Sequence, residues 1–304
     1  MCASYAAADL AEGCDARTSY DASVDTSNAG RSLAAAVDAL RRDDGTVSVV
    51  ARVAGETKPR VSVEPDAQHY SASIMKLPVL VAAHRLVERG ELDLRRLVRV
   101  HNDFASRAPG HRFSLDPGED SDPQTWAALG TDVPLETLVH RMVTVSGNLA
   151  TDLVLDEVGM DEVAAVLAAA GCSGRTSIVR GIEDYPARDA GIDNLITADD
   201  MARLMVALAA GRLAGAEASA ACERVLQAQE YRRGIPAGLP PEGLVVGNKT
   251  GWITDVNHDV ALVRGPGLPA VGLAVLVSAA GTTDSEREEG IARIARAAWD
   301  EVVG

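Results

Sequence analysis

Apolar residues recur at helical spacing from Ser32 through SLAAAVDALRRDD, predicting a first helix that ends near Gly45. Two strand-like runs follow, TVSVVARVA (46–54) and RVSVEP (60–65), around a turn region spanning Gly55–Pro59. The run 73–92, SIMKLPVLVAAHRLVERGEL, reads as a buried helix, with Pro78 tolerated only near its first turn. Residues 101–130 are rich in Gly, Pro, Asp and Ser and predict a long loop. Helices are expected at about 134–145, 148–158 and 160–171, then an irregular stretch over 172–196. Thr197 is a good N-cap for ADDMARLMVALAAG, and a further helix is expected over 216–230. Strand-like runs at 244–251, 258–265 and 270–278 precede a last amphipathic helix, SEREEGIARIARAAWDEVV. Short links between strands imply an antiparallel sheet and an α+β class. The expected architecture is a five-stranded antiparallel sheet backed by the terminal helices (31–72 and 236–304), with residues 73–235 inserted as a helical lobe.

Composition narrows the function. With 3% aromatic residues, the core must be built from Ala, Val and Leu. The net charge of −15 repels phosphate backbones, so nucleic acid is not an expected partner. No segment reaches the roughly 18 apolar residues of a membrane span. Residues 1–30 are polar, small and acidic and are expected to be disordered. They lack the basic start and apolar stretch of a signal peptide, which predicts a cytoplasmic protein, or a secreted one if the true start lies elsewhere. Cys2, Cys14, Cys172 and Cys222 form no CxxC pair and read as isolated thiols, with a Cys172–Cys222 bridge left open. The histidines are scattered, so no metal site is expected, and no organic cofactor is implied.

Lysine usage is the sharpest chemical clue. Of 29 basic residues only Lys58, Lys76 and Lys249 are lysines. A lysine kept where arginine fills every other place is a candidate for work that needs a losable proton. Lys76 lies three residues after Ser73, on the same helical face, where an amine can activate a hydroxyl. The helix start also offers backbone N–H groups where an oxyanion would form. Ser146-Gly147-Asn148 lies between two predicted helices, where it either presents a hydroxyl and an amide to a cleft or simply caps a helix. Lys249-Thr250-Gly251 ends a strand-like run that is either an edge able to align a substrate, with glycine allowing close approach, or an ordinary strand end with a solvated lysine.

Together, SxxK, SxN and KTG in this order resemble the serine β-lactamase and penicillin-binding protein superfamily. The separations of 73 and 103 residues suit its class A β-lactamases, and SGNLATDLVLDEVG is similar to that family's helix after the middle motif. From about Ser32 to Trp299 the order of elements is the family's. The resemblance implies that Ser73 is acylated and that Lys76 activates it, directly or through water. It implies a proton relay by Ser146 and a hold by Asn148 on the substrate amide or on Lys76. Lys249, Thr250 and Gly251 would bind a substrate carboxylate, and the N–H groups of Ser73 and Trp252 would form the oxyanion hole.

Three departures bear on the substrate. Gly147 stands where the family usually has Asp, a mainly structural carboxylate. The family's ExxLN segment is missing from VRGIED (179–184), which leaves Glu183 as the candidate deacylation base and Asp184 as the next, the alternative being that both are surface carboxylates on an irregular loop. Where class A enzymes commonly bring in an Arg, this chain has VNHD (256–259), so His258 either faces the cleft or is a satisfied sheet histidine. RGIED…GIDN…TADDMA resembles a branch called class A-like serine hydrolases. The expected activity is β-lactam hydrolysis through an acyl-enzyme by a monomer acting on a small molecule. Alternatives are an esterase, amidase or acyl transferase acting on another metabolite, and a covalent penicillin-binding sensor.

Overall fold

In the computed structural model, described over residues 32–41 and 45–304, five strands form one antiparallel sheet. They are β1 (Thr46–Val53), β2 (Val61–Val63), β3 (Val245–Ile253), β4 (Val256–Gly265) and β5 (Leu268–Ser278), in the order β2-β1-β5-β4-β3. β3 is therefore an edge, and alternate backbone groups along it are free to meet a ligand. The expectation for residues 1–30 lies outside the described residues. Among the described residues no helix is long and apolar enough to cross a membrane.

Apolar residues cover both faces of the sheet. Val50, Val260, Leu262, Ala274 and Leu276 face the helical lobe. Val49, Ala51, Ala261, Leu273, Val275 and Val277 face α1 (Leu33–Leu40) and α8 (Asp284–Val303). Burial on both sides explains why VGLAVLVS is a continuous apolar run rather than an alternating one. Thr283 begins α8 with a capping box closed by Glu286.

The helical lobe is built around α2 (Lys76–Glu88), which is entered through a 3₁₀ turn, Ala72–Met75. Residues 72–84 are all buried, and Pro78 sits in the first turn of α2, where its missing N–H leaves no ladder bond unmade. Around it lie α3 (Leu135–Thr144), α4 (Asn148–Val158), α5 (Met160–Ala170), α6 (Ala198–Ala209) and α7 (Ala216–Gln227). Thr197 caps α6 by accepting from the Asp200 amide. The expected long loop at 101–130 contains structure that periodicity missed: a ribbon pairing Phe104–Ala105 with Arg112–Phe113, and a short helix, Pro123–Ala127. Cys172 and Cys222 are free thiols, so the bridge left open by the sequence is not formed.

Candidate active site

Ser73 sits in the 3₁₀ turn, held by the Ile74 amide donating to the Ser71 carbonyl (3.0 Å). Ala72, just before it, has φ 42°, a left-handed conformation that an alanine adopts only under constraint. The turn presses against β3: a Cβ added at Gly251 would lie 2.9 Å from the Ser73 nitrogen and 3.0 Å from that of Ile74. The backbone of Ser73 and Ile74 therefore leaves room only for glycine here, a contact beyond the substrate approach expected from sequence.

One helical turn on, Lys76 is fully buried. Its Nζ donates to the Ser146 carbonyl (2.6 Å), Ser146 Oγ (3.3 Å) and Asn148 Oδ1 (2.9 Å). Burial pushes Lys76 down to about 7, against the carboxylates of Asp120, Asp152, Glu183 and Asp122, which favour the ammonium. Lys249, also fully buried, donates to Ser146 Oγ (2.9 Å) and the Thr250 carbonyl (2.7 Å). Burial and the nearby Lys76 push it well below the ordinary lysine range. The Ser146 hydroxyl thus lies between two amines, on a residue whose φ is 60°. A hydroxyl so placed can pass a proton from one side to the other.

The turn carrying Ser146 and Asn148 is organised by the loop before α3. Asp120 caps α4 by accepting from the amides of Asn148 and Leu149 (both 2.9 Å). Asp122 fills the space beside Gly147, where an added Cβ would stand 2.8 Å from its Oδ2. Arg141 and Thr125 bind the same Asp122 carboxylate. A carboxylate from another segment thus occupies the room that a side chain at position 147 would need.

Glu183 enters from the segment Ser177–Ile196, whose ends pair at Ser177 and Leu195. Arg180, almost fully buried, pins the segment through Asp193 (2.7 Å), the Gly181 carbonyl and the Tyr70 hydroxyl. Asp152 on α4 accepts from the Ile182 amide (2.9 Å). Glu183 itself has φ 58°. Its Oε1 accepts from Asn148 Nδ2 (2.9 Å) and its Oε2 from the Asp116 amide (3.0 Å). Burial raises its pKa, partly opposed by these two donors. One amide side chain thereby joins Lys76 to Glu183: Asn148 accepts from the first and donates to the second.

Lys76, Ser146, Asn148, Glu183 and Lys249 are thus brought into one hydrogen-bonded cluster, with Ser73 and Gly251 in backbone contact beside it. Thr250 follows on β3 with a buried hydroxyl that has no partner. Trp252 comes next, its ring against Tyr231 with centroids 4.8 Å apart. His258 is not brought to the cleft. It is buried behind the Ala72–Met75 turn, where the Val277 amide donates to Nδ1 (3.1 Å) and Nε2 donates to the Tyr70 carbonyl (2.9 Å). Burial lowers it to about 4, so it is a neutral sheet histidine. Asp184 also points elsewhere, capping the short helix Tyr185–Asp189 and accepting from Ser106 (2.5 Å) and the Arg107 amide (2.8 Å). Sequence reasoning missed Asp120, Asp122 and Arg180; the acidic run EDSD (119–122) and the Gly at 147 were the available signals. Among the described residues, no group of three or more His, Cys, Asp or Glu is placed to hold a metal ion.

Comparison with known proteins gives the family and the fold. The family model described as the beta-lactamase enzyme family matches residues 31–302. A beta-lactamase from Sphaerobacter thermophilus is 29% identical with a TM-score of 0.73, covering 89% of this chain and 96% of that one. A beta lactamase from Xanthomonas campestris is similar in fold at 20% identity and TM-score 0.75, covering 89% of this chain and 97% of its own. L2 in complex with relebactam is similar in fold at 22% identity and TM-score 0.76, covering 90% and 96%. No curated protein matches the chain.

Proposed function

We propose, from the premise that this chain belongs to the beta-lactamase enzyme family and is a serine hydrolase, that it opens amide or ester bonds through an acyl-enzyme on Ser73 and hydrolyses that intermediate, with β-lactams among its substrates. Neutral Lys76 accepts the Ser73 proton as Oγ bonds to the substrate carbonyl carbon. The oxyanion is received by the N–H groups of Ser73 and Trp252. Ser146, backed by both lysines, gives a proton to the departing nitrogen as the C–N bond breaks. The Lys76 ammonium returns that proton to Ser146. Glu183 then takes a proton from water, the water oxygen attacks the acyl ester, and the ester C–O bond breaks as Ser73 Oγ takes the proton held by Glu183.

The observation that carries this reading is the Asn148 side chain bonded at once to Lys76 and Glu183 (both 2.9 Å), which supports one base for each half-reaction. Intact-protein mass spectrometry during turnover of benzylpenicillin and a chromogenic cephalosporin tests it. A transient adduct on Ser73 with product is expected, no adduct in Ser73→Ala, and a persistent adduct in Glu183→Gln with deacylation slowed about 10²–10⁴-fold. Product formation by Ser73→Ala, or undiminished turnover by Glu183→Gln, sinks it.

A second reading, an esterase, amidase or acyl transferase on a non-lactam metabolite, is favoured by one observation. The residue paired with Thr250 across the strands is Asp259, a carboxylate where a carboxylate-binding cation would be useful. Faster turnover of a fluorogenic ester panel than of any β-lactam would select it.

A further inference from the structure

His258 takes no part in the chemistry above, yet its hydrogen bonds lead toward Ser73. It is fully buried and paired with Gly251 across β4 and β3. Residues paired in this way share a face of the sheet, so the imidazole stands on the side where Gly251 meets the Ser73 backbone. The Val277 amide can only donate, so Nδ1 of His258 must accept from it (3.1 Å). The neutral imidazole therefore carries its proton on Nε2 and donates it to the carbonyl of Tyr70 (2.9 Å), three residues before Ser73. His69 meets the His258 ring edge-on, with centroids 5.4 Å apart, and is fixed by the same logic. The Ser48 hydroxyl gives its proton to the Glu64 carbonyl (2.8 Å), so its oxygen accepts from His69 Nε2 (3.0 Å), while His69 Nδ1 accepts from Ser278 (2.9 Å).

The other contacts of this stretch go to the segment that carries Glu183. His69 and Tyr70 pair with Ile196 and Leu195 at its end, and the Ser71 amide donates to the Asn194 carbonyl (3.0 Å). The Tyr70 hydroxyl accepts from Arg180 (3.2 Å), whose guanidinium lies 5.6 Å from the centre of the Tyr70 ring. Tyr70 thus has its carbonyl tied to the sheet and its side chain tied to the Glu183 segment. Ala72, two residues on, is held at φ 42°, a conformation the chain would leave if its approach were free to relax.

We propose that His258 is a positioning residue for the acylation of Ser73, acting through the Tyr70 carbonyl, and that the Tyr70 hydroxyl is the far end of the same brace, steadying Glu183 through Arg180. The inference rests on the acyl-enzyme reading for the rates it predicts, but the brace itself does not require acylation.

The test separates the two ring nitrogens. Asparagine at position 258 puts Oδ1 where Nδ1 accepts but cannot reach Tyr70. Glutamine puts an N–H where Nε2 donates but leaves the Val277 amide unpaired. Each variant gives up one buried hydrogen bond, so both should lose thermal stability. Only His258→Asn should slow single-turnover acylation by a chromogenic cephalosporin, by about ten-fold, with His258→Gln within about two-fold of the unmodified enzyme. Tyr70→Phe should leave acylation unchanged and slow deacylation by about three- to ten-fold. Hydrogen exchange of the Ile74 amide, which donates to the Ser71 carbonyl, should be about ten-fold faster in His258→Asn than in His258→Gln. Imidazole nitrogen NMR of the unmodified protein should show His258 protonated on Nε2 alone. Equal acylation or equal exchange in the two His258 variants overturns the proposal, as does a proton on Nδ1. So does Tyr70→Phe slowing both steps alike or neither. The NMR signal and Tyr70→Phe leave the buried sheet intact, so a His258 variant that fails to fold does not shelter the proposal. Absence of any adduct in the unmodified enzyme refutes the acyl-enzyme reading instead, and exchange and NMR still judge the brace.

Discussion

The contact between Gly251 and the Ala72–Met75 turn makes a prediction whose size follows from geometry. A methyl at position 251 would lie 2.9 Å from the Ser73 nitrogen, 3.0 Å from the Ile74 nitrogen and 3.2 Å from Ile74 Cγ1. Ordinary contacts of this kind begin at about 3.4 Å, so β3 and the turn must part by roughly half an ångström. Neither side yields easily: residues 72–84 are buried throughout, and Gly251 is paired with His258 in the sheet. Overpacking of this kind costs about 1–3 kcal/mol, offset by about 0.4–1 kcal/mol from the stiffer unfolded chain. Gly251→Ala should therefore lower Tm by a few degrees. It should slow acylation by about ten-fold, since a misplacement of ~1 Å can cost 10²-fold. Gly174→Ala is the control, because Gly174 has an ordinary φ and no atom within 4 Å of its would-be Cβ. Stopped-flow acylation and thermal unfolding read the two effects separately. If Gly251→Ala matches the control in both, the close approach does not set the position of Ser73.

Four further outcomes are expected. Acylation should rise with pH through about 7 as Lys76 loses its proton, and a rate flat from about pH 5.5 to 8.5 would refute this role. Because folding lowers Lys76 from 10.5 to about 7, the unfolded chain binds the extra proton between those limits; stability should therefore rise with pH there, and less steeply in Lys76→Met, as read by urea unfolding. Arg180→Met should destabilise by ~2–4 kcal/mol and slow deacylation more than acylation, since the guanidinium ties the Glu183 segment to Asp193 and Tyr70. Gly147→Asp should destabilise by ~1–3 kcal/mol against Asp122, and much less in a background carrying Asp122→Gly; additive effects in the double-mutant cycle would show that the two positions do not share one space.

The parts of the molecule legible in the sequence are those fixed by local spacing. Lys76 shares a helical face with Ser73 because residues three apart do so on any helix. The Thr197 cap and the three closing strands are equally local. Asp120 and Asp122 were illegible because they reach the site from a loop without periodicity, 28 and 25 residues before Asn148 and Gly147. The direction of His258 was undecidable for a different reason. β4 is covered on both faces, so alternation cannot say which side looks toward a cleft. Glu183 stood out only through the family resemblance; its segment is irregular, and its place depends on Arg180, Asp193 and Asp152, which no short-range pattern connects.

The electrostatics of the cluster decide how its two lysines divide their work. Both reach the Ser146 hydroxyl, and two buried ammonium groups so close are mutually unfavourable. Lys76 has four carboxylates favouring its charge, Asp120, Asp152, Glu183 and Asp122, whereas Lys249 has only Asp259. Lys76, pushed down to about 7, is therefore a free amine able to take a proton above that pH, while Lys249 is pushed down by burial and by the Lys76 charge. Glu183 thus bears on the charge of the amine beside Ser73, in addition to the role proposed for it toward water. Removing its charge in Glu183→Gln takes away one carboxylate that favours the ammonium, so Lys76 should titrate below about 7. Acylation in that variant should then be retained, with its pH profile displaced toward acid and its rate at pH 6 at or above the unmodified enzyme's. If Glu183 instead withdraws the Ser73 proton through water, the same substitution should depress acylation about 10²-fold or more at every pH. Single-turnover acylation across pH separates these outcomes, because the two roles move the same curve in opposite directions.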